Sequence, residues 1–125
     1  MIKLTFCLRR RSDVTREEFQ TYWRDRHAPL VRSVAHLIGA RRYVQSHTVS
    51  LPELQAVVDA RGVGVEPYDG VAELWWDDFE AMAAAGKTKE GRDAGRMLLA
   101  DEANFIDLPN CAMFFSEEFE VISPE

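Results

Sequence analysis

The sequence has few cysteines and no long hydrophobic run. Its 125 residues include only Cys7 and Cys111, which are too few and too far apart for a disulfide framework or a zinc knuckle, so we expect free thiols. No apolar stretch approaches the roughly 20 residues of a membrane span, and Met1 leads directly into a short alternating segment rather than a signal peptide. These absences predict a soluble, cytoplasmic protein with no membrane partner.

The sequence also lacks an excess of basic residues. Fifteen Lys and Arg against twenty-one Asp and Glu give a formal net charge of −6, which opposes binding to the phosphates of a nucleic acid. There is no glycine-rich phosphate loop, and the three histidines have no ligand-type spacing among themselves or with the cysteines. We therefore expect no nucleic-acid partner, no metal and no cofactor.

What remains is the composition of one globular domain. The chain is 46% apolar, 10% aromatic and 29% charged, without a low-complexity tract. A length of 125 residues supports one hydrophobic core and is too short for two ordinary domains. We predict a single domain over residues 1–125.

Alternating or continuous apolar patterns predict four strands. They cover residues 2–8, 40–49, 71–76 and 111–115. The run at 71–76 is apolar on both faces and is typical of a central strand, whereas 40–49 carries arginines and predicts an edge strand.

Capping signals and 3.6-residue spacing predict the helices between these strands. A capping box from Thr15 to Glu18 opens the first helix, and a second from Ser50 to Glu53 opens a short helix in a 50–66 insertion. Residue 77 or 78 caps a third helix that turns Phe79 inward, and a last helical pattern continues to residue 105.

The order strand, helix, strand, strand, helix, strand is that of the ferredoxin-like βαββαβ unit in the α+β class. Its four-stranded antiparallel sheet pairs the first and last strands, which predicts that Cys7 lies near Cys111. Helices cover only one face of such a sheet. Because a bare apolar face is unfavourable in water, we expect a homodimer in which two sheets face each other.

His27 is the most informative residue of the first helix. Phe19, Trp23 and His27 follow one another at spacing four, so the imidazole shares the face that should be buried. Pro29 predicts that His27 lies at or near the helix end. A free histidine titrates near pH 6.5 and suits general acid or base catalysis; the alternative is a packing histidine bonded to a carbonyl or another side chain.

Two carboxylates are candidates for the same site. Asp101 shares a helical stripe with Met97 and Phe105, where it would orient His27 or act as an acid in a dry pocket, although an Asp at a helix break is also ordinary capping chemistry. Glu73, on the central strand, is either a buried acid or, as we favour, the partner of an arginine at 41 or 42.

Several segments resemble the EthD family of dimeric α+β barrel proteins. They are the N-terminal KLTFCLRRR, the TREEF helix start, the YW and HAPL motifs of the first helix, the YDGVAE strand and the DEANFID motif. Their order and spacing cover nearly the whole chain. The resemblance implies the fold derived above, with a ligand cavity between sheet and helices in each subunit.

The resemblance also implies a function. Relatives perform cofactor-free proton transfer, such as dehydration, decarboxylation or isomerisation, on aromatic or polyketide-like compounds, and more distant barrels act as monooxygenases. The characteristic histidine corresponds to His27, the acidic motif to Asp101 and Phe105, and a tyrosine of some isomerases to Tyr43.

We therefore expect a small-molecule-binding protein, with a lyase or isomerase activity carried by His27, Asp101 and Tyr43. A non-catalytic ligand-binding dimer and an oxygenase, cofactor-free or haem-dependent, remain open alternatives. Ligand contacts are predicted for six residues: Phe6, Trp23, Glu73, Trp75, Met97 and Phe105.

Overall fold

A computed structural model describes residues 1–124 of the chain. Its sheet has four antiparallel strands in the spatial order β2-β3-β1-β4. Their bounds are Ile2–Leu8 for β1, Arg42–His47 for β2, Gly70–Trp76 for β3 and Ala112–Glu117 for β4. The predicted ferredoxin-like α+β fold is confirmed, with 71–76 inside the sheet and 40–49 at its edge.

Five α-helices connect the strands. Their bounds are Arg16–Tyr22 for α1, Ala28–Ile38 for α2, Pro52–Asp59 for α3, Phe79–Ala85 for α4 and Lys89–Glu102 for α5, and a short 3-10 turn spans Leu108–Asn110. The capping box of α1 is present as predicted: the Glu18 amide donates to the Thr15 hydroxyl over 3.0 Å, and the Thr15 amide donates to the Glu18 carboxylate over 2.8 Å.

A single π-helical turn, Trp23–His27, joins α1 to α2 without a break. The Ala28 amide bonds to the carbonyl of Trp23, five residues back, and Pro29, which has no N–H to donate, follows directly in the first turn of α2. The boundary expected near His27 is present as the end of the π turn, but the chain continues directly into α2. His27 lies within a continuous helical stretch.

The core fills the space between the helices and one face of the sheet. Phe19, Trp23, Phe105 and Leu8 are each at most 1% exposed and form its centre. A second group packs α2 against α5 through Val31, Val34, Ala94 and Leu98. Helix α5 thus reaches the helical stretch that carries His27.

Helix α3 in the insertion differs from its prediction. Ser50 does not cap it: Leu51 is the capping residue, with no side-chain cap bond, and the Ser50 hydroxyl instead accepts from Arg16 over 2.8 Å. No residue of α3 is buried, so its apolar side chains, such as Leu54 and Val57, contact solvent.

Two further boundaries and one side chain also differ. Phe79 was expected to point inward, but as the first residue of α4 it is 59% exposed. Helix α5 ends at Glu102 instead of continuing to residue 105, and β4 extends to Glu117.

The cysteines lie where the strand pairing predicts. Cys7 is opposite Ala112 in the β1–β4 register, next to Cys111, and both are free thiols whose pKa burial raises. Over residues 1–124, no helix is long and apolar enough to cross a membrane.

Candidate functional site

A cavity of about 280 Å³ lies between the sheet and the helices. Strands β1 and β3 supply its floor, while the π turn, α2 and α5 supply its walls. Most lining side chains are aliphatic or aromatic. The lining consists of Leu4, Phe6, Leu8, Trp23, His27, Val31, Ile38, Tyr43, Ala72, Leu74, Trp76, Gly95, Leu98, Leu99, Glu102, Ile106 and Met113.

The cavity opens to solvent beside Leu99 and Met113. Both line it and both are 54% exposed, whereas Phe6, Trp23 and Ala72 on the inner walls are buried. The side of the cavity formed by these two residues is therefore apolar and open.

His27 and Asp101 form a close pair at the cavity wall. The His27 Nδ1 lies 2.7 Å from the Asp101 Oδ2, and His27 is only 5% exposed. The Tyr22 hydroxyl donates to the other carboxylate oxygen over 2.6 Å. The side chain of Asp101 is therefore held at both oxygens rather than capping a helix.

The charge of Asp101 decides which nitrogen of His27 carries hydrogen. Burial by itself raises the pKa of Asp101, but hydrogen bonds from Tyr22 and His27 outweigh it, so the net pKa lies below the ordinary value. The carboxylate is ionised at neutral pH and only accepts, so the Nδ1 must donate. In neutral His27 the Nε2 then carries the lone pair.

The Nε2 of His27 has access to the cavity. Among residues 1–124, every buried side-chain nitrogen or oxygen has a hydrogen-bond partner. The Nε2 of His27 has none in that range, since only the Nδ1 is bonded. The atom is therefore not enclosed by protein, and the cavity is the space that His27 lines. Phe105 packs behind the imidazole with a centroid separation of 5.2 Å.

Gln45 connects the edge strand to the π turn. Its amide nitrogen donates to the carbonyl of Trp23 and to the hydroxyl of Tyr43, both over 2.9 Å. Its amide oxygen lies 2.9 Å from the His47 Nε2, and His47 in turn packs on Trp23 with a centroid separation of 4.5 Å. This network holds the turn from which His27 projects.

Tyr43 lines the cavity from β2. Burial raises its pKa, although hydrogen bonds from Gln45 and Trp23 partly oppose the rise, so the phenol keeps its proton at neutral pH. Its oxygen accepts from Gln45, while its O–H finds no acceptor in the described part of the chain. That hydrogen is available to a ligand oxygen.

Glu102 is a cavity residue that the sequence analysis did not select. It lines the cavity and is partly buried, and burial together with the neighbouring charge of Asp101 raises the pKa of Glu102 to about 7. The signal in the sequence was the buried stripe of α5, Gly91, Ala94 and Leu98. Glu102 follows Leu98 by four residues and therefore lies on the same face of the helix.

Met97 does not belong to this stripe. It is 38% exposed and lies outside the cavity lining, so it is not part of this candidate site. A helix turns 100° per residue, and the face of α5 that meets the sheet is centred on Leu98 instead. Phe6 and Trp23 do line the cavity, whereas Phe105 is buried against His27 without reaching it.

Glu73 and Trp75 lie on the opposite face of the sheet from the cavity. Their strand neighbours Ala72 and Leu74 line it, and successive side chains alternate between faces. Glu73 pairs with Lys3 over 2.8 Å, not with Arg41 or Arg42. The predicted arginine partner of Glu73 is therefore wrong, and Glu73 and Trp75 are not part of this candidate site.

The arginines beside Glu73 have other contacts. Arg41 pairs with Asp77 over 3.0 Å, and the Arg42 guanidinium lies 4.6 Å from the ring centroid of Trp75. No three His, Cys, Asp or Glu side chains between residues 1 and 124 are grouped as metal ligands.

A four-stranded ferredoxin-like sheet covered by helices on one face, with an apolar cavity beside a His–Asp pair, defines a small α+β protein. The sequence model of the EthD domain matches residues 11–109. The chain belongs to the EthD family. No curated protein matches it.

Solved structures share this fold. An EthD family protein from Bacillus halodurans C-125 is 24% identical, with 95% of this chain and 99% of that chain covered and a TM-score of 0.61. An EthD-like protein from Ralstonia eutropha JMP134 is 21% identical, with coverages of 99% and 96% and a TM-score of 0.64. A dimeric protein of unknown function and ferredoxin-like fold from Bacteroides fragilis NCTC 9343 is 14% identical, with coverages of 94% and 95% and a TM-score of 0.57.

Proposed function

We propose that this protein binds a small hydrophobic compound, aromatic or polyketide-like, in the cavity and transfers a proton on it without a cofactor. The observation that carries the proposal is the His27–Asp101 pair. Its Nδ1 to Oδ2 distance is 2.7 Å, and the remaining imidazole nitrogen has access to an apolar cavity.

In the proposed reaction His27 is the base. Its Nε2 removes a proton from a ligand carbon next to a carbonyl group, and Asp101 holds the ring in one tautomer and stabilises the imidazolium that forms. Tyr43 donates its free O–H to the carbonyl oxygen, where negative charge develops. These three residues are on the β2 strand, the π turn and α5, so the folded chain is required to assemble them.

The size of the cavity limits the ligand. A dry cavity of about 150 Å³ is large enough for benzene, and this one has about 280 Å³. One aromatic ring with a short side chain, or two fused rings, fits inside it. A larger polyketide would have to extend past Leu99 and Met113 into solvent.

We also propose that the protein is a homodimer formed through the sheet face that has no helices. Phe114 is opposite Thr5 in the β1–β4 register and lies on that face, where it is 51% exposed. The ferredoxin-like relative from Bacteroides fragilis is dimeric, which supports this assembly.

Exchange of carbon-bound hydrogen tests the proton transfer directly. The probe is 4-phenylbutan-2-one in D₂O, with deuterium incorporation next to its carbonyl followed by NMR. We expect the wild type to accelerate this exchange and His27→Ala to lose roughly 10²-fold of the rate. Asp101→Asn should lose most of it as well.

His36→Ala is the matched control, because His36 is an exposed histidine of α2 outside the cavity. Its exchange rate should equal that of the wild type. Equal rates in wild type and His27→Ala would contradict the proposed mechanism. Binding of the probe without any exchange would instead identify a non-catalytic ligand-binding protein.

A further inference from the structure

We propose that Glu102 is a second catalytic residue of this cavity, and that the substrate is a neutral β-hydroxy ketone with an aromatic body, which the protein dehydrates. The inference rests on the proposed function, since it keeps His27 as the base. It adds the group that completes an elimination.

Glu102 and Asp101 are adjacent in the last turn of α5 but have different surroundings. Asp101 is bound by Tyr22 and His27. Glu102 lines the cavity, and none of the described residues hydrogen-bonds its carboxyl group. Because no buried side-chain oxygen of residues 1–124 lacks a hydrogen-bond partner, the Glu102 carboxyl oxygens are accessible, and the cavity is the space that Glu102 lines. A ligand in the cavity can therefore hydrogen-bond to this carboxyl group.

The surroundings of Glu102 favour its protonated form. Burial and the negative Asp101 raise its pKa to about 7, so a large fraction of the side chains carry a proton at neutral pH. A protonated carboxyl group is a hydrogen-bond donor and a general acid. The cavity is then lined by the imidazole of His27, the proposed base, and by a carboxyl group that can act as an acid, Glu102.

The charge of the lining selects the class of substrate. None of the residues that line the cavity within residues 1–124 is Lys or Arg, so nothing there compensates a negatively charged ligand. A carboxylate substrate would meet Glu102 and the nearby Asp101 without a cation. This disfavours decarboxylation, which starts from an ionised acid, and favours an uncharged ketone.

An elimination uses both groups in one turnover. His27 Nε2 takes the proton from the carbon next to the carbonyl, and Tyr43 stabilises the enolate oxygen. The enolate then forms the carbon–carbon double bond while the β carbon–oxygen bond breaks, and the departing hydroxyl takes the Glu102 proton and leaves as water.

The cycle closes without an added reactant. After elimination His27 is an imidazolium and Glu102 a carboxylate, so one proton moves from His27 to Glu102 through water that enters at the open mouth. A simple shift of a double bond needs only one proton carrier, which would leave the second, protonated carboxyl group without a role.

Two probe reactions separate this inference from the proposed function. Deuterium exchange of 4-phenylbutan-2-one needs only the base, whereas dehydration of 4-hydroxy-4-phenylbutan-2-one also needs an acid at the hydroxyl. The second reaction is followed by absorbance of the conjugated enone. Glu102→Gln should lower the rate of dehydration roughly 10²-fold. The factor by which it lowers the rate of deuterium exchange should be at least about tenfold smaller.

The pH profile provides a readout that a purely structural role would not change. Wild-type dehydration should decline above about pH 7 as Glu102 loses its proton, and Glu102→Gln should lack this decline. Glu102→Asp, which keeps a carboxyl group, should recover part of the rate. Glu90→Gln, at an exposed position near the start of α5, should match the wild type in both reactions.

The outcomes distinguish failure of the Glu102 acid from failure of the His27 base. If the wild type exchanges the proton but does not dehydrate the hydroxy ketone, or if Glu102→Gln lowers both reactions equally, the role of Glu102 is overturned and the His27 base remains. If the wild type catalyses no exchange, the proposed function fails and the inference fails with it.

Discussion

The His27 Nδ1 lies 2.7 Å from the Asp101 Oδ2, although 74 residues separate them in the chain. The π turn carries the first residue and the last turn of α5 the second. Packing of α2 against α5 brings them together, and Tyr22 holds the far oxygen of the carboxylate. Each of the following predictions depends on this arrangement or on the sheet beneath it.

Removing the Tyr22 hydroxyl should weaken the pair. Tyr22→Phe deletes the donor to the Asp101 Oδ1, and loss of a hydrogen bond to a charged group destabilises by about 1–2 kcal/mol. We expect this decrease in urea unfolding, together with a several-fold slower deuterium exchange of 4-phenylbutan-2-one because Asp101 holds His27 less firmly.

Tyr68→Phe is the control for that substitution. The ring of Tyr68 lies 4.1 Å from the Arg9 guanidinium. This contact involves neither His27 nor Asp101. Its exchange rate should stay at the wild-type value. Equal stability and exchange in Tyr22→Phe and Tyr68→Phe would show that the Tyr22 bond contributes nothing.

The protonation of Glu102 should make stability depend on pH. Its pKa is raised from 4.5 to about 7 in the folded protein, so the folded state binds more protons than the unfolded state between these values. The free energy of unfolding attributable to Glu102 is therefore highest below pH 4.5 and falls as the pH rises through 7.

Glu102→Gln should remove this decrease in the free energy of unfolding with rising pH. The wild type should lose on the order of 2–3 kcal/mol relative to the variant between pH 4.5 and pH 8, measured by urea unfolding at both ends of the range. Glu90→Gln serves again as the exposed control. Parallel pH curves for wild type and Glu102→Gln would mean that Glu102 ionises as an exposed carboxylate does.

Two glycines should respond oppositely to an added methyl group. A Cβ at Gly70 would collide with the Trp23 ring and approach the Ser46 carbonyl oxygen to 2.9 Å. Gly70→Ala should destabilise by about 1–3 kcal/mol and disturb the cavity wall. A Cβ at Gly95 of α5 meets nothing within 4 Å, so Gly95→Ala should stabilise by about 0.5–1 kcal/mol.

Thermal unfolding of both variants checks this pair. The sign of the difference is the informative result, because the two substitutions are chemically identical. A stabilising Gly70→Ala would show that the Trp23 ring does not pack against β3 at that position.

A charge on the uncovered sheet face should prevent dimerisation. Phe114→Glu places a carboxylate on that face, so light scattering coupled to size exclusion should change from a dimer to a monomer. Leu54→Glu on the exposed helix α3 is the control and should remain dimeric. A monomeric wild type would contradict the proposed assembly.

Local patterns were sufficient for the elements and for one partner of the site. The capping box at Thr15, the two-sided apolar run of β3 and the spacing of Phe19, Trp23 and His27 all depend on neighbours within a few residues. The structure places His27 on the buried side of its helical stretch, as this spacing predicts. The contact between Asp101 and His27 was expected only because Asp101 lies on an otherwise apolar stripe of its helix.

The errors occurred where a local pattern allowed two answers. Strand β3 is apolar on both faces, so its sequence did not show whether Glu73 or Leu74 faces the helices. On α5, stripes through Met97 and through Leu98 differ by one residue, and only packing against the sheet selects the second, which brings in Glu102. Pro29 predicts a helix boundary near His27, but its local pattern does not show that a π turn continues directly into α2 there.

By itself the sequence determined the order of strands and helices, the ferredoxin-like class, the free thiols and the amphipathic stripe that carries His27, because these depend on periodicity and on capping residues close in the chain. Only the tertiary structure decided that Asp101 binds His27 while Glu102 lines the cavity, and that Glu73 and Trp75 lie on the other face of the sheet. The physical reason is that these contacts join segments far apart in the chain, and their geometry is set by how helices and sheet pack together.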